Sequence, residues 1–152
     1  MTLTPFHIAI PVDNLHKARS FYGDLLGCPE GRSAENWVDF NLYGHQLVCH
    51  LAGGSADESS NAVDGDAVPI PHFGVVLTMA QWRELGGKLQ EANATFITEP
   101  HIRFEDQVGE QATLFLRDPS GNVLEFKAFA DAAAIRSELF RKQPVSDTLQ
   151  CI

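Results

Sequence analysis

Polar and apolar positions alternate along FHIAIPV, from Phe6 to Val12, so that Phe6, Ile8 and Ile10 share one face of an extended strand and His7 and Ala9 the other. Asp13 and Asn14 then offer cap residues, and the spacing changes to threes and fours. Leu15, Ala18, Phe21, Tyr22 and Leu25 form the apolar stripe of a helix that stops at Gly27. After a loop rich in Gly, Arg and Ser, the short runs WVDFNL and HQLVCHL flank the Tyr43-Gly44 turn and predict a hairpin. The stretch GGSADESSNAVDG, Gly53 to Gly65, holds few large apolar residues and many turn formers, which predicts a linker.

The plan then restarts. PHFGVVL predicts a strand, Thr78 a helix cap, and Trp82, Leu85, Leu89 and Ala92 the helix stripe before Asn93. ATFIT gives a strand, EPHIRFEDQVGE a polar loop, ATLFLRD a strand, DPSG a turn and NVLEFKAF the last strand. His7 and His72 open the two repeats in matching register. The expected organisation is a first βαβββ module over 1–53, a linker over 54–68, a second module over 69–129, and a C-terminal helix (131–142) and tail within 130–152. Paired, two such modules make an α+β fold: an eight-stranded, cup-shaped mixed sheet with helices outside and a concave inner face.

On each of four strands the face opposite the apolar one carries a potential ligand. His7 lies with Ala9, His72 with Gly74 and Val76, Glu125 with Val123 and Lys127, and His50 with Gln46 and Val48. Two imidazoles and a carboxylate on rigid strands, His7, His72 and Glu125, form a two-histidine, one-carboxylate set that leaves positions open on a divalent metal.

Composition narrows the function classes. The chain has 152 residues, enough for one domain or two half-domains sharing a core, and a formal net charge of -9 that would repel a phosphate backbone. Nucleic acid is therefore not an expected partner. No basic leader precedes the first strand and no apolar run reaches bilayer length, so no membrane association and a cytoplasmic location are expected. Cys28, Cys49 and Cys151 are widely spaced and unpaired in pattern; reduced thiols are expected, with Cys49 in the core.

With FHIAIPVDNLHKARSFYGDLLG, the restart PHFGVVL and the ending FLRDPSGNVLEFKAF, the sequence resembles the vicinal oxygen chelate superfamily, which includes glyoxalase I, extradiol dioxygenases and bleomycin- and fosfomycin-resistance proteins. The turn DP-G-N followed by an apolar residue and Glu is its most specific feature. NLYGHQLVCHL, EPHIRF and GEQATLFLRDPSGN are similar to a bacterial group described as extradiol-dioxygenase-like. The resemblance implies metal ligands at His7, His72 and Glu125. The place where glyoxalase I usually adds a fourth ligand falls on His50, or on Gln46 if the register slips by two. His50 then has three possible roles: acid/base group, fourth ligand or structural histidine.

The leading expectation is an extradiol-dioxygenase-like enzyme in which a small vicinal-diol or enolate substrate chelates Fe(II) or Mn(II). A glyoxalase-type isomerase or lyase using Ni(II) or Zn(II), and a binding protein that sequesters a small molecule, stand as alternatives. Tyr43, Gln46, His101 and Arg103 are candidate substrate contacts, with His101 a further proton carrier. Tyr22 belongs to the helix stripe, His16 and His45 are expected at the surface, and a homodimer is expected.

Overall fold

The computed structural model describes residues 4–52, 59–63, 65–107 and 110–130. The helix expected over 131–142 lies outside them, as does Cys151. The first module runs β1 (His7–Val12), α1 (Leu15–Ala18) continuing as a π-helical segment (Arg19–Leu25), β2 (Glu30–Ala34), β3 (Trp37–Leu42) and β4 (His45–Leu51). A hairpin, β5 (Ser59–Val63) and β6 (Asp66–Ile70), leads to the second module: β7 (Phe73–Leu77), α2 (Met79–Glu91), β8 (Phe96–Arg103), β9 (Gln111–Arg117) and β10 (Val123–Phe129). Two βαβββ modules are present, and their eight strands are hydrogen-bonded as two sheets of four, ordered β1-β4-β3-β2 and β7-β10-β9-β8. In each, the opening strand pairs parallel with the closing one and the rest is antiparallel. Among the described residues no helix is long and apolar enough to cross a membrane.

Local chemistry accounts for these elements. Asn14 caps α1 by accepting the Lys17 amide at 3.0 Å, and Thr78 caps α2 in a reciprocal capping box with Gln81. The wider π turn shifts the first helix's stripe: Ala18, Tyr22 and Leu26 are buried four residues apart, while Leu25, expected on the stripe, is only half-buried. Tyr43 (φ 50°) and Gly44 (φ 92°) both adopt the left-handed conformation that a two-residue hairpin turn requires.

Three segments differ from the sequence reading. EGRSA, read as loop, is the exposed edge strand β2, which has no apolar face to betray it. The stretch 54–68, read as linker, carries most of the β5–β6 hairpin, closed around Gly65 at φ 84°. The expected polar loop begins as strand: β8 continues through His101 and Arg103, paired with Thr113 and Gln111. It accommodates Pro100 because β8 is an edge strand with irregular register there.

One hydrophobic core takes the apolar faces of both sheets and both helices, from Ile10, Val12, Tyr22 and Leu47 to Leu77, Trp82, Leu114 and Phe126. Each such fully buried aliphatic or aromatic side chain contributes about 1.5–3 kcal/mol. The His7-bearing and Glu125-bearing faces therefore each lie on the side of their sheet away from this shared core. A second, small cluster of Val68, Phe115 and Val123 sits where β6 packs onto the Glu125 face of the second sheet.

Candidate metal half-sites

On the second sheet, Glu125 sits in β10 opposite Gly74 of the parallel strand β7. A Cβ at Gly74 would run into the Glu125 backbone carbonyl, so the glycine is what allows the two strands to close at this point. Glu125 is 6% exposed, and its two oxygens divide the neighbouring donors. Oε1 accepts the Thr113 hydroxyl at 2.8 Å and lies 3.8 Å from Arg103 Nη1; Oε2 lies 3.3 Å from His72 Nε2 and 3.1 Å from Lys127 Nζ. His72 donates its Nδ1–H to the Pro69 carbonyl at 2.6 Å and sets its ring edge-on to Phe115. With Nδ1–H committed, Nε2 of the neutral ring presents a lone pair towards the carboxylate, so the two acceptors converge on a position that suits a proton or a cation. That donor set fits a divalent metal.

On the first sheet, His7 pairs across β1–β4 with Gln46, and its Nδ1 lies 2.9 Å from Gln46 Oε1. Gln46 Nε2 donates to Asp39 Oδ2 at 3.2 Å. Asp39 also accepts the Arg32 amide and pairs with its guanidinium. Burial alone would raise the Asp39 carboxyl, but these donors outweigh it and hold its pKa below the ordinary value. The chain from Arg32 through Asp39 and Gln46 fixes the His7 ring and leaves its Nε2 free to ligate.

The structure thus joins His72 to Glu125 and His7 to Gln46, but not all of them to one another. Among the described residues, no three His, Cys, Asp or Glu side chains come together to hold one metal ion. The reason is the shared core, which keeps the two polar faces on separate sides. His50 is exposed on β4, four residues beyond Gln46 and so about 13 Å along the strand. Relative to the paired strand, the first-module residue at the Glu125 position is Val48, opposite Ala9 as Glu125 is opposite Gly74.

The other candidates lie as follows. His101 Nε2 is 2.9 Å from Asp66 Oδ2, and Arg103, 3% exposed, donates Nε–H to the same oxygen at 2.8 Å. Its Nη2 is 2.6 Å away but off the hydrogen-bonding line. Burial raises the Asp66 carboxyl, and Arg103 and His101 more than reverse this. Tyr43 contacts Phe126, on the side of β10 opposite Glu125. His45 is half-buried and accepts the Phe6 amide at 3.0 Å, whereas His16 is exposed. Asp66 carries no signal in the sequence, since it falls in the stretch that reads as a linker; Lys127 shares the Glu125 face by strand alternation, whereas Thr113 is brought to that face by the β9–β10 register. The Cys28 and Cys49 thiols are buried, which pushes them up to about 11 and about 12 and makes both poor nucleophiles and ligands.

Comparison with known proteins agrees with this architecture. A family model described as the Glyoxalase/Bleomycin resistance protein/Dioxygenase superfamily matches residues 4–126. A solved glyoxalase/bleomycin resistance protein/dioxygenase from Alicyclobacillus acidocaldarius is 33% identical, with a TM-score of 0.72 over 84% of this chain and 92% of that one. The fold is shared with a lactoylglutathione lyase from Agrobacterium tumefaciens (17% identity, TM-score 0.56, 82% and 92% covered). It is shared also with a genomically encoded fosfomycin resistance protein from Listeria monocytogenes (15%, 0.61, 84% and 94%). No curated protein sequence matches at a significant level. The chain belongs to the glyoxalase/bleomycin resistance protein/dioxygenase superfamily.

Proposed function

We propose that this protein is a metal-dependent, extradiol-dioxygenase-like enzyme acting on a small vicinal-diol or enolate substrate, with Fe(II) or Mn(II) held by His72 and Glu125 of one chain and His7 of a second copy. The observation that carries the reading is the His72–Glu125 pair, an imidazole Nε2 and a buried carboxylate oxygen 3.3 Å apart with the far ring nitrogen anchored on a carbonyl. His7, anchored by Gln46 on the other module, supplies the third ligand when two copies bring the polar faces of unlike modules together in a homodimer.

When bound, the metal supplies a Lewis acid and template that lowers the pKa of a chelated hydroxyl. The chain's own residues do the rest. Thr113 holds Glu125 Oε1, leaving Oε2 for ligation. Lys127 stands beside that oxygen and offers an ammonium to an anionic substrate oxygen. The register-equivalent of Glu125 in the first module is Val48, an apolar side chain, which favours three protein ligands over four and hence the dioxygenase over the glyoxalase-type isomerase. The exposed His50 remains the candidate proton carrier, now as a residue that a second copy or substrate must approach.

Anaerobic Fe(II) loading followed by a catechol and hemithioacetal screen, with and without O₂, tests the reading. Oxygen uptake with catechols supports it, oxygen-independent turnover of a hemithioacetal replaces it with the isomerase, and no metal uptake leaves a small-molecule binding protein.

A further inference from the structure

The β5–β6 hairpin lies between the modules yet touches the second half-site at three points. Asp66, at the start of β6, accepts from Arg103 and is paired with His101, both on β8. Val68, two residues on, packs with Phe115 and Val123. Pro69, the next residue, gives its carbonyl to His72 Nδ1 at 2.6 Å. Phe115 completes the circuit, since both the Arg103 guanidinium (5.6 Å) and the His72 ring (5.3 Å) lie against it.

From this we infer that the hairpin is a working part of the metal half-site, with Asp66 and Arg103 as positioning residues that clamp β6 so that the Pro69 carbonyl fixes the tautomer and orientation of His72. The inference rests on the proposed role of His72 as a ligand.

A histidine presents Nε2 as a lone pair only when its proton is held on Nδ1, and in this half-site the acceptor that holds it comes from an element outside the βαβββ module. A hairpin of two short strands is marginal alone, so its position depends on what clamps it. Here the clamp is a charged pair whose arginine is almost wholly buried, backed by one apolar contact. His101 and Arg103, expected at the substrate, are engaged with the hairpin, and Arg103 also reaches to 3.8 Å from Glu125 Oε1, so it joins the clamp to the carboxylate itself.

The test uses the full chain, wild type and the variants Asp66→Asn and Val68→Ala, which loosen the clamp by two unrelated routes and leave every proposed ligand in place. Two-bond ¹H–¹⁵N spectra of the imidazoles report the His72 tautomer without metal, and Zn²⁺ titration reports affinity. In the wild type His72 is expected as the Nδ1–H form; both variants are expected to show a tautomer mixture and to bind Zn²⁺ about 10- to 100-fold more weakly. Asp66→Glu, which retains the charge, is expected to recover part of the loss. An unchanged His72 tautomer and unchanged affinity in both variants would overturn the inference. A wild type that takes up no Zn²⁺ but whose His72 tautomer still shifts in the variants would retain the clamp and defeat the metal reading.

Discussion

The Tyr22 hydroxyl, in the first module's helical segment, donates to Oδ2 of Asp118, in the turn before β10 of the second, at 2.8 Å and fully buried. Asp118 also accepts the amides of Ser120 and Asn122 and the Asn122 side chain, which in turn donates to the Pro11 carbonyl at the end of β1. The Asp of the DPSGN turn is thus a junction: it shapes the tight turn that delivers Glu125 and ties that turn to the other module. Tyr22→Phe removes one buried bond and is expected to cost about 1–1.5 kcal/mol. Asp118→Ala strands several donors and is expected to cost about 3 kcal/mol or more in urea denaturation. Equal losses in the two variants would contradict this division.

At Gly74 the constraint is steric. Gly74→Ala is expected to push β7 and β10 apart beside Glu125, costing about 1–3 kcal/mol. Gly87, with open space around its would-be Cβ, is a control in the same module: Gly87→Ala is expected to be neutral or stabilising by about 1 kcal/mol, as in other helix interiors. Thermal denaturation of the pair checks the contrast.

Asp39 sets a pH dependence. Its folded-state pKa is depressed, so its contribution is fully present above the ordinary value of 3.8 and is lost as pH falls through the lower folded value. Asp39→Asn is therefore expected to be less stable than wild type near neutrality, with the difference shrinking below pH 3.8. Parallel denaturant titrations at several pH values measure it; a gap that widened on acidification would contradict the assigned cause.

Much of this was legible in the sequence. Strand alternation put His7, His72, Glu125 and Lys127 on polar faces, and the repeat put the two histidines in register, because period-two patterns survive wherever one face is buried. The segments without such a face were not legible. EGRSA is polar on both sides, SSNAV and DAVPI lie in turn-rich composition, and Pro100 disguised the strand that carries His101 and Arg103. The π turn moved burial from Leu25 to Leu26, a shift of hydrogen bonding that an apolar spacing of threes and fours does not encode. Strand periodicity does not encode which modules face each other across the core, so the sequence leaves open whether His7 joins His72 and Glu125 within one chain or between two.

A metal centre that takes His72 and Glu125 from one chain and His7 from another is tested most directly by subunit mixing. His7→Ala and Glu125→Gln proteins are each expected to lack metal as homodimers. Unfolded together in equal amounts and refolded, half of the dimers are hybrids carrying one intact site, so metal binding is expected to return to about a quarter of the wild-type level. If the three ligands instead belonged to a single chain, no hybrid would contain an intact set, and the mixture would bind no more metal than its parents.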